Sequence, residues 1–267
     1  MSGHFAGVDV GSAWAKAVVV DGEGHAVGRA LAPSGLDLKR AGALVLQRAC
    51  EEAAVDPQGL AGVVSTGYGR DGVEQSGRTR SEILCLAKGA FAQMARAMTL
   101  VDIGGQDSKV IFLDEKGTRT DYRMNRKCAA GTGSFLEIVA LRLGMPLDQL
   151  GPLAERTSEC APLSSFCSVF AATEVLDLLG KGYSLESIAR GVYRSVAQRV
   201  VEMGLHGDFV GLAGGVVAHH PVLAQMVKEM TTAQVQVLPD PQHTGALGAA
   251  LLAREGAGGR AFVTADS

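Results

Sequence analysis

Hydrophobic residues follow two different spacings along the chain, and each spacing predicts a different kind of element. Short apolar runs that end at glycine or polar turns are typical of buried strands. The predicted strands cover residues 5–10, 16–20, 26–31, 60–65, 99–103, 208–212 and 235–238, with a further strand after Lys109. The first three follow one another across short turns and therefore predict a meander.

Longer segments repeat their apolar residues every three or four positions, as the buried face of a helix does. They cover residues 38–54, 134–143, 168–179, 184–203, 221–230 and 244–254, and residues 82–98 form a further amphipathic stretch. In the longest, a stripe expected to face a core is formed by Ile188, Val192, Val196 and Val200. Strands interleaved with helices indicate an α/β protein.

One strand-turn-strand pattern occurs twice. VDVGSAWAKAVVV, from residue 8, and VDIGGQDSKVIFL, from residue 101, share an aspartate, a glycine turn, a lysine and a second apolar strand. This duplication predicts two similar lobes rather than a solenoid of short repeats. We expect an N-terminal lobe at residues 1–96 and a C-terminal lobe at residues 97–254, whose last helix either stays there or packs back on the first lobe. Residues 255–267 are expected to be a flexible tail.

The duplicated turns carry the residues expected to bind phosphate and Mg²⁺. Glycine turns can direct backbone N–H groups outward as an anion-binding nest. The turn residues are Gly11, Ser12 and Ala13 in the first copy and Gly104, Gly105 and Gln106 in the second. Asp9 and Asp102 end their strands and are placed to hold Mg²⁺ through water, while Lys16 or Lys109 adds positive charge. The alternative is two ordinary hairpins with aspartates capping their turns.

Other glycine-rich segments differ in how much chemistry they suggest. Gly214 and Gly215 follow a strand and would let the backbone approach a ribose or base closely. His219 and His220 come next, and we interpret them as surface or N-cap residues because adjacent side chains do not face one another on a helix. Residues 67–72 match GxGxxG and residues 72–79 imitate a P-loop, but neither has the flanking elements that its motif requires.

Composition narrows the function classes. The 267 residues include 25 basic and 28 acidic side chains, a formal charge of −3, and 47% are hydrophobic. This balance argues against a disordered chain, a nucleic-acid scaffold or an anionic-membrane binder. No leader pattern and no apolar run of membrane-spanning length is present, so we expect a cytoplasmic protein with neither nucleic acid nor membrane as partner.

Five cysteines are present without a CxxC pair, which argues against a disulfide framework. Cys128 and Cys167 precede predicted helices, where the helix dipole would stabilise a thiolate. Metal or redox chemistry and two unligated cysteines remain alternatives. Two thiols are half of what a 4Fe-4S cluster requires, so iron binding would call for a dimer. Cys160 is either a spare ligand or structural, and Cys50 and Cys85 are expected in the core.

The motifs taken together resemble one family. GVDVGSAWAK, STGYGR, VDIGGQDSK, MNRKCAAGTGSFLE, SSFCSVFAATEV, GLAGGVVAHHPV and TGALGAALLA are similar to the activator ATPases of 2-hydroxyacyl-CoA dehydratases and to the homologous ATP-binding subunits of benzoyl-CoA reductase. The resemblance implies a two-lobed fold of the actin, hexokinase and Hsp70 type, built from duplicated ribonuclease-H-like domains that bind ATP or ADP with Mg²⁺.

The resemblance also implies site residues and partners. A homodimer, or a pair of related chains, would share one 4Fe-4S cluster held by Cys128 and Cys167. Besides the turns at Asp9 and Asp102, the implied nucleotide contacts are Gly131, Thr132, Gly133, Gly214 and Gly215. The partner would be an acyl-CoA dehydratase or reductase component, and a ferredoxin or flavodoxin would be the external electron donor.

The function expected from these residues is ATP-dependent delivery of one electron to the partner enzyme. Asp102 and Gln106 are expected to position Mg²⁺ and the attacking water. A first alternative is a small-molecule kinase of the same fold with structural cysteines, in which Asp107 or Glu137 would serve as a general base. A second alternative is a nucleotide-gated binding module without redox chemistry.

Overall fold

The computed structural model describes residues 3–125, 128–163 and 168–257. Within them the chain forms two compact units. The first contains the residues up to Ala95 together with those from Gln242 onward, and the second is Arg96–Pro241. No helix among the described residues is long and apolar enough to cross a membrane.

The first unit is built on a five-stranded sheet with the order β3-β2-β1-β4-β5. Its strands are β1 Phe5–Val10, β2 Trp14–Val20, β3 Ala26–Pro33, β4 Gly62–Thr66 and β5 Arg78–Thr79. β1, β2 and β3 pair antiparallel, whereas β4 runs parallel to β1. The helices are α1 Leu38–Glu52, α2 Glu82–Met94 and α9 Thr244–Ala257.

Alternating residues of the first sheet face two separate hydrophobic clusters, as strand periodicity requires. Val8 and Val10 pack with α1, while Phe5 and Val18 pack with α9. α9 in turn lies very close to α2. A Cβ added at Gly248 would lie 1.8 Å from the carbonyl oxygen of Cys85, so only glycine permits this helix contact.

The second unit has a five-stranded sheet with the order β10-β9-β6-β7-β8. Its strands are β6 Met98–Ile103, β7 Ser108–Leu113, β8 Arg119–Asn125, β9 Phe209–Ala213 and β10 Gln234–Val237. Its helices are α3 Gly133–Arg142, α4 Leu147–Ala154, α5 Ser168–Gly180, α6 Leu185–Glu202, α7 Gly215–His219 and α8 Pro221–Glu229. The predicted stripe on α6 is fully buried in the core of this unit.

The two sheets share one plan: three antiparallel strands followed by two parallel ones. The sequence analysis did not predict β5, β8, α4 or α7. The sequence analysis grouped the last helix with the C-terminal lobe, residues 97–254, and gave packing on the first lobe as the alternative. In the structure, α9 belongs to the first unit. α9 continues to Ala257, which places the start of the predicted tail inside a helix. The rest of that tail, residues 258–267, lies outside the described residues.

Candidate functional site

The first duplicated turn lies at the end of β1 and is held by backbone and side-chain contacts. The Asp9 Oδ2 atom lies 3.2 Å from Lys16 Nζ, its cross-strand neighbour. The Gly11 N–H donates to the Trp14 carbonyl at 3.1 Å, and the Ser34 hydroxyl donates to the Gly11 carbonyl at 2.7 Å. Because the turn itself uses the Gly11 N–H, phosphate binding would depend on Ser12 and Ala13, which are partly exposed.

A segment that the sequence analysis set aside packs against Asp9. Gly67 follows β4 with φ +90°, and a Cβ there would lie 2.6 Å from Asp9 Oδ1 and 2.5 Å from the Val10 carbonyl oxygen. A Cβ at Gly245 would lie 3.1 Å from Asp9 Oδ2. Glycine backbone therefore encloses this carboxylate. The sequence signal was available, since β4 was predicted directly before the glycine pair at residues 67 and 69.

The second turn repeats the arrangement with one addition. Asp102 and Lys109 are cross-strand neighbours, as Asp9 and Lys16 are. Lys109 Nζ lies 3.6 Å from Asp102 Oδ2 and 2.7 Å from Asp107 Oδ1. The Gly104 N–H donates to the Asp107 carbonyl at 2.9 Å. Like the Gly11 N–H, it is already used by a hydrogen bond within its own turn. Gln106 is exposed at the tip of the turn.

Residues 131–134 are hydrogen-bonded to the second turn. The Gly133 N–H donates to the Gly104 carbonyl at 2.9 Å, and the Ser134 N–H donates to the Gly105 carbonyl at 2.8 Å. The Ser134 hydroxyl makes a further bond to the Gly105 carbonyl. Gly131, with φ +81°, accepts a hydrogen bond from the Ser108 hydroxyl at the start of β7. Thr132 is buried and precedes α3 as its N-cap residue.

Gly214 is required by the protein backbone itself. Its φ is +98°, and a Cβ there would lie 2.3 Å from the Ile103 carbonyl oxygen at the end of β6. Its N–H donates to the Pro241 carbonyl at 2.9 Å. This close approach to the protein's own backbone is by itself a sufficient reason for a glycine at this position. It also places the start of α7, at Gly215, beside the strand that carries Asp102.

The two histidines after α7 have different environments. His219 is exposed, whereas His220 is 5% exposed and lies 2.7 Å from the hydroxyl of buried Tyr193. Burial lowers the pKa of His220 to about 4 and raises the pKa of the Tyr193 hydroxyl well above its ordinary value. His220 is thus a buried residue at the N-cap position of α8, so of the two interpretations given above the N-cap one is confirmed for it and the surface one is wrong.

The cysteines also separate by environment. Cys50 and Cys85 are buried, as predicted, and burial raises the pKa of Cys85 to about 12. Cys128 and Cys160 are partly exposed. Cys128 lies before the Thr132 N-cap and therefore outside the first turn of α3. Cys167 lies outside the described residues.

Each unit therefore assembles part of the predicted site. In the first, the structure brings Asp9, Lys16 and the residue 11–13 turn together. In the second, it brings Asp102, the residue 104–105 turn, residues 131–133 and Gly214 together. The Asp102 side chain is 11% exposed and offers carboxylate oxygens, the ligand type that Mg²⁺ prefers. The residues present therefore fit a nucleotide-bound Mg²⁺.

Two known proteins are similar to this chain over nearly its whole length. The activator of lactoyl-CoA dehydratase from Anaerotignum propionicum is 40% identical over 254 residues, covering 94% of this chain and 97% of the relative. The solved structure of the activator of the 2-hydroxyisocaproyl-CoA dehydratase from Clostridium difficile with bound ADPNP is 32% identical and has a TM-score of 0.88, covering 98% of this chain and 100% of that chain.

A more distant structure supports the fold alone. A ROK family glucokinase from Streptomyces griseus, at 15% identity, has a TM-score of 0.59 over 95% of this chain and 100% of that chain. The two-lobed class of ATPase fold expected from the sequence is confirmed. The model of the BadF/BadG/BcrA/BcrD ATPase family matches residues 6–253. The duplicated aspartate turns, their glycine contacts and these matches lead to one conclusion: the chain belongs to the BadF/BadG/BcrA/BcrD ATPase family.

Proposed function

We propose that this chain is an ATPase that activates an acyl-CoA dehydratase or a related reductase by transferring one electron to it in the cytoplasm. The observation that carries the proposal is the direct hydrogen bonding between the Asp102 turn and the segment that follows Cys128. Family membership and the names of the relatives support the ATPase activity and the class of partner.

The nucleotide would be bound by the two aspartate turns. Asp102 would hold Mg²⁺, with Asp9 as the corresponding carboxylate in the first unit, and Gln106 would orient the attacking water. Ser12, Ala13 and Gly105 would supply backbone N–H groups to phosphate. These roles require orientation and charge stabilisation rather than covalent chemistry by the protein.

The proposed electron carrier is a 4Fe-4S cluster shared by two copies of this chain or by this chain and a related one. Cys128 and Cys167 of each protomer would hold it. The partial exposure of Cys128 suits a ligand at a subunit surface, whereas Cys50 and Cys85 are enclosed in the first unit. When bound, the cluster supplies one-electron transfer, and an external donor such as ferredoxin or flavodoxin would reload it.

Coupling between hydrolysis and electron transfer would follow from short connections in the second unit. Ser108 lies at the start of β7 and bonds Gly131, while Gly104 and Gly105 bond the first residues of α3. A change in the turn on loss of a phosphate would therefore reach residues 131–134 through four hydrogen bonds. Asn125 helps hold that segment, since its side-chain amide donates to the carbonyl groups of Cys128 and Ala130.

The test is iron content measured on anaerobically purified protein. Cys128→Ala and Cys167→Ala should each lose the cluster while still binding MgADP, because the nucleotide contacts do not involve the thiols. Cys160→Ala is the matched control and should retain about one cluster per dimer. Full iron in either of the first two variants would disprove the ligand assignment, and loss of iron in the Cys160 variant would require a different ligand set.

A further inference from the structure

The two duplicated turns differ at one position in a way that changes their charge. Aligning VDVGSAWAK with VDIGGQDSK places Trp14 of the first turn opposite Asp107 of the second. The flanking aspartate and lysine are the same in both copies and occupy the same register between strands. Asp107 therefore gives the second turn a carboxylate that the first turn lacks.

This additional carboxylate changes the surroundings of the lysine. In the first turn, Lys16 Nζ lies 3.2 Å from Asp9, and its side chain is 16% exposed. In the second, Lys109 is 4% exposed, and its Nζ lies 2.7 Å from Asp107 but 3.6 Å from Asp102. A buried ammonium requires a close anionic partner. Asp107 provides the shorter of these two contacts.

The charges of the two turns consequently differ. Asp9 and Lys16 sum to zero, whereas Asp102, Asp107 and Lys109 sum to −1. A divalent cation favours the turn that keeps a net negative charge. We propose that Asp107 is a positioning residue for the nucleotide's Mg²⁺: by pairing with Lys109 at 2.7 Å, it leaves that ammonium 3.6 Å from Asp102 and keeps the net charge of the turn at −1. This inference rests on the proposed function, because it concerns the cation bound with ATP or ADP.

The first experiment replaces Asp107 by an isosteric neutral residue. In Asp107→Asn, the charges of Asp102 and Lys109 sum to zero, as those of Asp9 and Lys16 do. The affinity for Mn²⁺ in the presence of saturating ADP should weaken about tenfold. It is measured from the EPR signal of free Mn²⁺ and by competition with Mg²⁺. ADP binding in EDTA, measured by calorimetry, should be unchanged or tighter, because the variant removes a negative charge near the phosphates.

Weaker Mn²⁺ binding without weaker ADP binding separates positioning from general damage to the turn. Structural damage would weaken ADP binding with and without the cation. The double variant Asp107→Asn/Lys109→Met restores the net charge of −1 and should recover Mn²⁺ affinity to within about threefold of the wild type. Asp114→Asn is the matched control: Asp114 caps the turn between β7 and β8 through backbone N–H groups, and its loss should leave Mn²⁺ binding unchanged.

Each outcome bears on the inference. Unchanged Mn²⁺ affinity in Asp107→Asn, or a double variant no better than the single one, would overturn it. If Asp107→Asn does not fold, Lys109→Met alone decides: it should bind Mn²⁺·ADP at least as tightly as the wild type, and weaker binding would refute the charge argument. Wild-type protein that binds neither ADP nor Mn²⁺·ADP would instead refute the proposed function.

Discussion

Replacing Gly67 by alanine tests whether glycine backbone encloses the Asp9 carboxylate for a functional reason. The new Cβ would lie 2.6 Å from Asp9 Oδ1 and 2.5 Å from the Val10 carbonyl oxygen, closer than such atoms can approach. The carboxylate or the end of β1 must therefore move. We expect MgADP binding to weaken, because Asp9 and the residue 11–13 turn would no longer be correctly placed.

The expected loss of stability has two parts. Alanine at φ +90° costs about 1–3 kcal/mol in backbone strain, and forcing atoms into an occupied space typically costs a further ~1–3 kcal/mol. The total is about 2–6 kcal/mol. At roughly 2–4 °C per kcal/mol for chains near this size, the Tm should fall measurably in a thermal scan.

Gly182 offers a control matched in backbone conformation. Its φ is +88°, and nothing lies within 4 Å of an added Cβ. Gly182→Ala should therefore show the backbone strain of about 1–3 kcal/mol with MgADP affinity unchanged. Calorimetric titration of MgADP and thermal unfolding, performed on both variants, separate the two effects. The reasoning fails if Gly67→Ala keeps wild-type affinity and is no less stable than Gly182→Ala.

Two further predictions follow from buried titratable groups. Because burial lowers the pKa of His220 from 6.5 to about 4, the unfolded chain binds a proton at this histidine at a higher pH than the folded chain does. The free energy of unfolding should therefore decrease between about pH 7 and pH 4, by at most ~3 kcal/mol. Urea unfolding of His220→Gln should lose this pH dependence, whereas His219→Gln should retain it. Because burial raises the pKa of Cys85 to about 12, iodoacetamide applied to the iron-free native protein should label Cys128 and Cys160 before Cys85, as peptide mass spectrometry would show; equal labelling rates would contradict the burial argument.

The parts of the fold that the sequence predicts are those with a strong local pattern. The repeated segments predict the strand-turn-strand that each sheet contains, and the apolar stripe of α6 predicts its burial. β8 escapes prediction because an edge strand leaves most of its side chains exposed, so no alternation of polarity marks it. α4 is obscured by Pro152 within it, a residue that usually argues against a helix.

The candidate site shows the same division. The aspartate and glycine turns can be found from their repetition, but the partners of each glycine depend on distant parts of the chain. Gly214 resembles a ligand-approach glycine, yet it lies against the backbone of β6. Gly67 resembles part of an unrelated motif, yet it lies against Asp9. Such contacts arise from the pairing of strands far apart in sequence, which local spacing does not encode.

The packing of α9 has a consequence for biosynthesis. Phe5, Val18 and Val64 belong to the hydrophobic cluster that α9 completes, although the strands that carry them emerge from the ribosome long before the helix does. Because folding during translation proceeds from the N-terminus, one face of the first sheet must stay uncovered while the whole second unit is made. Premature termination before residue 242 would leave this face without the helix that covers it.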